Sequence, residues 1–230
     1  MEKIIKFKNI NKSFENLDVI KNMSFEVWKN DIIWILWPSW VWKSTILKLI
    51  SNLEEPSSWE LINNAKKIWY VFQEPRLLAW KTTLENISLP LIIDWFSKKE
   101  AEKKALYYLE KMWLKGFEDY FPSQLSGWML QRVSLARAFV LEPDILLLDE
   151  PFSALDLRLK SVLEWILKKL LEENPIPVLY VSHSPEEIIK FANRIFMLLP
   201  WWILEEIPVN KDINKLKEDL IWKFMEKINK

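Results

Sequence analysis

Trp37-Pro38-Ser39-Trp40-Val41-Trp42-Lys43-Ser44-Thr45 is the stretch on which the fold turns. The apolar run Asp31 to Leu36 precedes it, and helix-forming residues through Ile50 follow. Strand, loop, Lys-Ser and helix form the layout of a phosphate-wrapping P-loop, whose pattern is Gly-x-x-x-x-Gly-Lys-[Ser/Thr]. Lys43 and Ser44 fit that pattern. Trp37 and Trp42 stand at its two glycine positions, and Trp40 occupies a third place where such loops often have glycine. Three indoles conflict with the chemistry. The loop works because its backbone N–H groups converge on the phosphates, and glycine leaves them room and permits positive φ.

Composition offers a resolution. The chain has 2 glycines and 15 tryptophans in 230 residues. At average usage of ~7% a chain this long carries roughly 16 glycines, close to the two counts combined. A genetic code that reads UGA as glycine, rendered here as tryptophan, accounts for both anomalies. The alternative is a tryptophan-rich chain with a dead loop. Codons other than UGA at positions 37, 40, 42 and 128 exclude the recoding.

The length suits one domain, 1–230, with ample core. Lys+Arg and Asp+Glu are both 32, so charge makes no case for a nucleic-acid partner. With no cysteine, disulfide frameworks and thiolate metal sites are excluded. Met1 to Lys6 lacks the apolar core of a signal peptide, and no run reaches the ~18 apolar residues of a membrane span. A soluble, cytoplasmic chain is expected, able to dock on a membrane protein.

Outward from the loop, Lys3–Lys8, Val19–Val27 and Asp31–Leu36 read as strands, the last feeding the loop. Lys43–Ser51 reads as the helix whose N-terminus faces the phosphates. Residues 54–58 read as a turn and 67–72 as a short strand ending at Gln73-Glu74-Pro75. Residues from about 75 to 140 form a helical subdomain, with helices at Thr83–Leu89, Ser97–Met112 and Gly127–Val140. In the second of these, Ala105, Leu109 and Met112 line one face, and Glu100–Lys104 is an i,i+4 pair on the other. Asp144–Glu150 is an apolar run closed by two acids, as in a parallel strand covered on both faces. Helices at 156–171 and 185–191, strands at 177–181, 194–199 and 203–207, and a terminal helix at 210–228 complete the chain. The fold expected is α/β: a P-loop NTPase core with a mostly parallel sheet, an N-terminal antiparallel β portion and an inserted helical subdomain.

The chemistry gathers at strand ends. Lys43 is placed to reach the β- and γ-phosphates, and the Ser44 hydroxyl to ligate Mg²⁺. Asp149, after its apolar strand, can hold Mg²⁺, while Glu150 points differently and can polarise a water. His183, the only histidine, ends the next strand, where parallel sheets put their ligands. Phe14 is either a core aromatic or an exposed ring for stacking on a base. Ser126-Gly127-Trp128, read with glycine at 128, opens a helix and forms a second anion site.

Leu125-Ser126-Gly127-Trp128-Met129-Leu130-Gln131-Arg132, read as Leu-Ser-Gly-Gly, resembles the signature of an ABC transporter ATP-binding subunit. The P-loop, Gln73, Asp149-Glu150, Ser153 to Asp156 and His183 resemble the other motifs of that family, over roughly residues 3–207. Phe72-Gln73-Glu74-Pro75-Arg76-Leu77-Leu78-Ala79-Trp80 with Met129 resembles the nitrate/sulfonate/taurine importer group, which makes Trp80 a genuine tryptophan and leaves Trp165 and Trp222 undecided. Asn30 departs from the family, which often has glycine there. The resemblance implies ATP hydrolysis driving transport through a separate permease. It implies ATP and Mg²⁺ as cofactors and a peripheral location on the inner face of the membrane. The partners it implies are a second copy of the chain and, indirectly, a solute-binding protein. Phe14 would stack on adenine, and Trp37, Pro38, Ser39, Trp40, Val41, Trp42, Lys43, Ser44 and Thr45 would cradle the phosphates. Ser44, Gln73 and Asp149 would arrange Mg²⁺ and water, Glu150 would act as base and His183 as γ-phosphate sensor. Ser126, Gly127, Trp128 and Asp156 would complete the nucleotide site. Two other expectations stay open: an ATPase of a non-import membrane complex, and a nucleotide-binding scaffold without turnover if the tryptophans are literal.

Overall fold

The computed structural model describes residues 2–15, 17–36, 43–182, 192–199 and 203–209, with Lys215 and Glu218. The phosphate loop 37–42, the Lys43 side chain, His183, the helix expected at 185–191 and nearly all of the terminal helix at 210–228 lie outside the described residues.

Two sheets carry the described residues. Strands β1 (Lys3–Phe14), β2 (Leu17–Trp28) and β4 (Ser58–Asn63) form an antiparallel sheet in the order β2-β1-β4. The second sheet contains β3 (Ile32–Leu36), β5 (Ile68–Val71), β6 (Ile145–Asp149), β7 (Val178–Ser182), β8 (Arg194–Leu199) and β9 (Ile203–Ile207). Its order is β5-β6-β7-β3-β8-β9, parallel throughout except for the antiparallel β8–β9 pair. Helices α1 (Lys43–Ile50), α2 (Thr83–Ile93), α3 (Lys98–Lys111), α4 (Gly127–Phe139) and α5 (Leu157–Glu173) complete the described core. The architecture is the α/β one expected: a mostly parallel P-loop core, an antiparallel β portion at the N-terminus and inserted helices.

Successive strand residues point to opposite faces, and the central sheet divides its side chains accordingly. Trp34, Leu36, Leu146, Leu148, Val178 and Tyr180 join one buried cluster with α2, α3, α4 and α5. Ile33, Ile35, Ile145, Leu147, Leu179 and Val181 join another with α1 and the antiparallel sheet. Every residue of β6 and β7 is buried. Each fully buried Leu, Ile or Val contributes about 1.5–3 kcal/mol relative to exposure, so an apolar run without alternation is what a strand clad on both faces requires.

The inserted helices are defined by local chemistry. Thr82 and Ser97 each form a capping box, with Glu85 and Glu100 respectively. Such caps contribute about 1 kcal/mol each. Ala105, Leu109 and Met112 are buried along one side of α3, as their spacing predicts. The Glu100–Lys104 pair is a correction. The Glu100 carboxylate accepts from Ser97 N at 3.1 Å, and Lys104 bonds Glu142 at 2.8 Å instead. A cap and a partner across the tertiary interface displace a weak i,i+4 contact. Two boundaries also differ. Helix α2 continues through Pro90 to Ile93, because loss of one N–H is offset by burial of Pro90 and Leu91. Residues 58–63 form strand β4 on the free edge of β1.

Helices α2 and α3 end alike. Trp95 (φ 67) and Trp113 (φ 56) adopt left-handed backbone angles. Trp95 N donates to Ile92 O at 3.2 Å and Phe96 N to Leu91 O at 3.0 Å. Trp113 N donates to Glu110 O and Leu114 N to Leu109 O, both at 2.9 Å. These are Schellman terminations, whose left-handed residue is usually glycine. A side chain in that conformation costs roughly 1–2 kcal/mol. Trp95 is 95% exposed and gains little packing in return. Trp95→Gly is therefore expected to stabilise the chain by about 1 kcal/mol, read as a rise in the urea midpoint at constant slope. A fall in that midpoint contradicts the strain argument.

Candidate functional site

Parallel strands deliver their chemistry at their carboxyl ends, and four neighbours do so here. Strand β3 runs into the phosphate loop, β5 into Phe72-Gln73, β6 into Asp149-Glu150 and β7 into Ser182, just before His183. Helix α1 starts at Lys43, directly after the loop.

Ser44 and Asp149 meet across 105 residues. The Ser44 Oγ donates to Asp149 Oδ2 at 2.6 Å. A third group shares that oxygen: Tyr70 Oη donates to Asp149 Oδ2 at 2.7 Å. Burial, then the adjacent Asp149 charge, push the Tyr70 phenol well above its ordinary range. Its proton therefore stays on and Tyr70 remains a donor. Asp149 and Glu150 are both only 9% exposed, so these carboxylates lie within the fold rather than on its surface.

Gln73 reaches the next loop. Its Nε2 donates to Ser153 Oγ at 3.1 Å, and Ser153 Oγ donates to the Glu150 carbonyl at 3.0 Å. Glu150 itself has positive φ (44°), with its N–H on Val181 O at 3.0 Å. That bend turns Glu150 off the line of β6, so adjacent acids serve different directions. Asp156 caps α5, its Oδ1 accepting from Arg158 N at 3.0 Å and Leu159 N at 3.1 Å. Thr45 is buried in α1. Phe14, at the end of β1, is half-buried against the second core cluster, with Lys12 Nζ 4.6 Å from its ring.

Ser126 is the N-cap of α4 and makes no side-chain cap bond. It and Gly127 are exposed, and among the described residues no hydrogen bond joins them to the Ser44–Asp149 pair. Trp128 lies under the Arg132 guanidinium at 3.3 Å. Arg132 in turn donates to the Met112 and Trp113 carbonyls at 3.0 and 3.3 Å, fastening α4 to the end of α3. Arg137, further along α4, donates to Pro75 O at 2.9 Å and Arg76 O at 3.1 Å. The segment after Gln73 is also gripped by Asn86. Its Oδ1 accepts from Leu78 N at 2.8 Å, and its Nδ2 donates to the Leu78, Lys81 and Thr82 carbonyls at 3.0–3.1 Å.

Sequence reasoning missed Tyr70, Asn86 and Arg137. For Tyr70 the sequence offered no signal beyond its place near the end of a strand, because its neighbour β6 is set by the sheet order. For Asn86 and Arg137 the usable signal was a polar residue on an apolar helix face.

The oxygen donors suit a hard cation. Mg²⁺ takes one or two carboxylates and hydroxyls and fills its shell with phosphate and water. Among the described residues no three His, Cys, Asp or Glu side chains cluster as an all-protein metal cage. No helix among the described residues is long and apolar enough to cross a membrane.

The geometry accords with the relatives found. Residues 20–153 match the family model for ABC transporters. An aliphatic sulfonates import ATP-binding protein of Shouchella clausii is 36% identical, over 84% of this chain and 76% of its own length. A formylaminopyrimidine import ATP-binding protein of Halalkalibacterium halodurans is 35% identical, over 95% and 89%. A dimeric bacterial ABC transporter cassette superposes with a TM-score of 0.79 at 32% identity, covering 90% of this chain and 99% of its own. The Ser44–Asp149 contact, the strand order and these matches lead to one assignment: the chain belongs to the ABC transporter family, as an ATP-hydrolysing, ATP-binding subunit.

Proposed function

We propose that this subunit powers import of a small solute of the nitrate, sulfonate or taurine kind. It works as a homodimer docked on a transmembrane permease at the inner face of the membrane, fed by a solute-binding protein. The observation that carries the proposal is the Ser44–Asp149 contact at 2.6 Å, which joins the two halves of a phosphate-and-cation site. The importer relatives support the direction of transport, and the sulfonate relative supports the class of solute. The 1–230 chain acts as one catalytic domain, with residues 75–140 as its helical subdomain.

In this proposal residues 37–45 cradle the phosphates and Lys43 balances their charge. Ser44, Asp149 and Gln73 hold Mg²⁺, which when bound neutralises phosphate charge. Glu150 takes the proton of the attacking water, and His183 hydrogen-bonds the γ-phosphate. Phe14 stacks on adenine, while Ser126, Gly127 and residue 128 close the site from a second copy. Asp156, committed here to the α5 cap, fixes the loop between Glu150 and α5.

We propose further that most tryptophans stand for glycine. Support comes from the phosphate-loop pattern, from the glycine-type backbone of Trp95 and Trp113, and from Trp34. The Trp34 indole is fully buried in the sheet and its Nε1 has no partner, a state that costs about 1–3 kcal/mol. Reading the codons at the 15 tryptophans tests it directly: UGA is expected at 34, 37, 40, 42, 95, 113 and 128, and UGG there refutes the idea.

The permease contact is assigned to residues 74–95. Leu77 and Leu84 pack against the core, but Trp80 is 72% exposed on a loop gripped by Asn86. An exposed indole on a rigid loop suits a protein partner. Trp80→Glu is expected to abolish transport in the assembled complex while leaving the isolated subunit's ATPase within about twofold, since no packing is lost. Undiminished transport removes this surface from the interface.

A further inference from the structure

The roles above leave the half-buried Tyr70 hydroxyl unused. Tyr70 sits on β5, beside β6, and sends its hydroxyl to the carboxylate that Ser44 also bonds. We propose that Tyr70 is a positioning residue for the cation site: it holds the Asp149 carboxylate in the orientation that Mg²⁺ with nucleotide requires. This rests on the nucleotide reading of the site.

Two observations and one chemical argument support it. Both hydroxyls donate to the same oxygen, Oδ2, at 2.6 and 2.7 Å. An ionised carboxylate only accepts, so two donors on one oxygen fix its plane and leave Oδ1 to other partners. The Tyr70 ring is itself held. It stacks on Phe72 with centroids 4.2 Å apart, and the Arg76 guanidinium lies 3.8 Å over Phe72. Arg137 then ties the Arg76 and Pro75 carbonyls to α4. The phenol therefore stands on a braced support reaching from the cation site to the helix that begins at Gly127. Finally, Ser44 cannot do this alone. Its hydroxyl must offer lone pairs to a cation, and one contact leaves the carboxylate free to swing about it.

Tyr70→Phe keeps the ring and the Phe72 stack but removes the donor. The experiment uses the chain with glycine at 37, 40, 42 and 128, and measures binding of a fluorescent ATP analogue in EDTA and across a Mg²⁺ titration. Loss of such an outer-sphere hydrogen bond lowers metal affinity about 10–100-fold. The Mg²⁺ half-saturation point is thus expected to rise at least about tenfold, with metal-free nucleotide affinity unchanged. A general structural role would instead weaken binding equally with and without metal, and that result overturns the proposal. So does an unaltered Mg²⁺ half-saturation point. A parent protein that binds no nucleotide under either condition overturns the nucleotide reading, and the proposal with it.

Discussion

Glycine at positions 37, 40 and 42 is expected to raise ATP affinity at least about a hundredfold over tryptophan at the same positions. The physical case is one of space and direction. A phosphate loop binds through several backbone N–H groups aimed inward together. Each hydrogen bond to a charged group contributes roughly 1.5–3 kcal/mol. An indole at any of these positions displaces the phosphate or forces the backbone from the positive φ that glycine tolerates. Losing two such contacts already exceeds about 3 kcal/mol, a hundredfold in affinity. Behind the loop, Ser44 meets Asp149, and helix α1 opens at Lys43. Fluorescence titration of both forms with an ATP analogue and Mg²⁺ decides the matter. Affinities within about threefold of each other would show that the tryptophans are literal and tolerated, which revives the scaffold without turnover.

What the sequence made legible was local. Helix α3 was expected at Ser97–Met112 and spans Lys98–Lys111, with Ser97 and Met112 as its caps. A capping box, an apolar stripe and a termination all lie within a few residues of the atoms they control. Strand β6 was legible because five buried residues in a row have few alternatives. Strand β4 was not: its hydrogen bonds come from the edge of β1, some fifty residues away in the chain, and nothing local in Ser58–Asn63 demands them. The same holds for the site. Each acid at the end of β6 announces itself, but the Tyr70–Asp149 bond spans 79 residues and the Arg137 clamp on Pro75 spans 62. Those contacts follow from which strands and helices become neighbours, a fact of topology that single-residue patterns do not carry.

Glu150→Gln, in the chain with glycine at 37, 40, 42 and 128, is expected to lower turnover by about 10²–10⁴-fold, the usual worth of a general base. ATP binding should survive, because glutamine keeps the volume and the backbone bend at Glu150 while losing only the proton acceptor. The same variant tests stoichiometry. One copy carries a phosphate loop at 37–45 and a second helix N-terminus at Ser126-Gly127, exposed and without a side-chain cap bond. In the proposed dimer, a triphosphate bound at the 37–45 loop of one copy would be met by Ser126 and Gly127 of the other. Two copies related by a two-fold axis would satisfy both sites twice, an isologous arrangement; the cassette relative is itself dimeric. In that arrangement ATP would contact both chains, and binding that favours the dimer would shift its equilibrium by mass action. Hydrolysis would remove the bridging γ-phosphate and release the dimer. A variant that binds but does not hydrolyse therefore accumulates closed, and sizing chromatography with ATP should show a dimer that disappears when ATP is replaced by ADP. A Glu150→Gln protein that stays monomeric with ATP well above its binding constant means that Ser126 and Gly127 serve no second nucleotide, and the shared site is wrong.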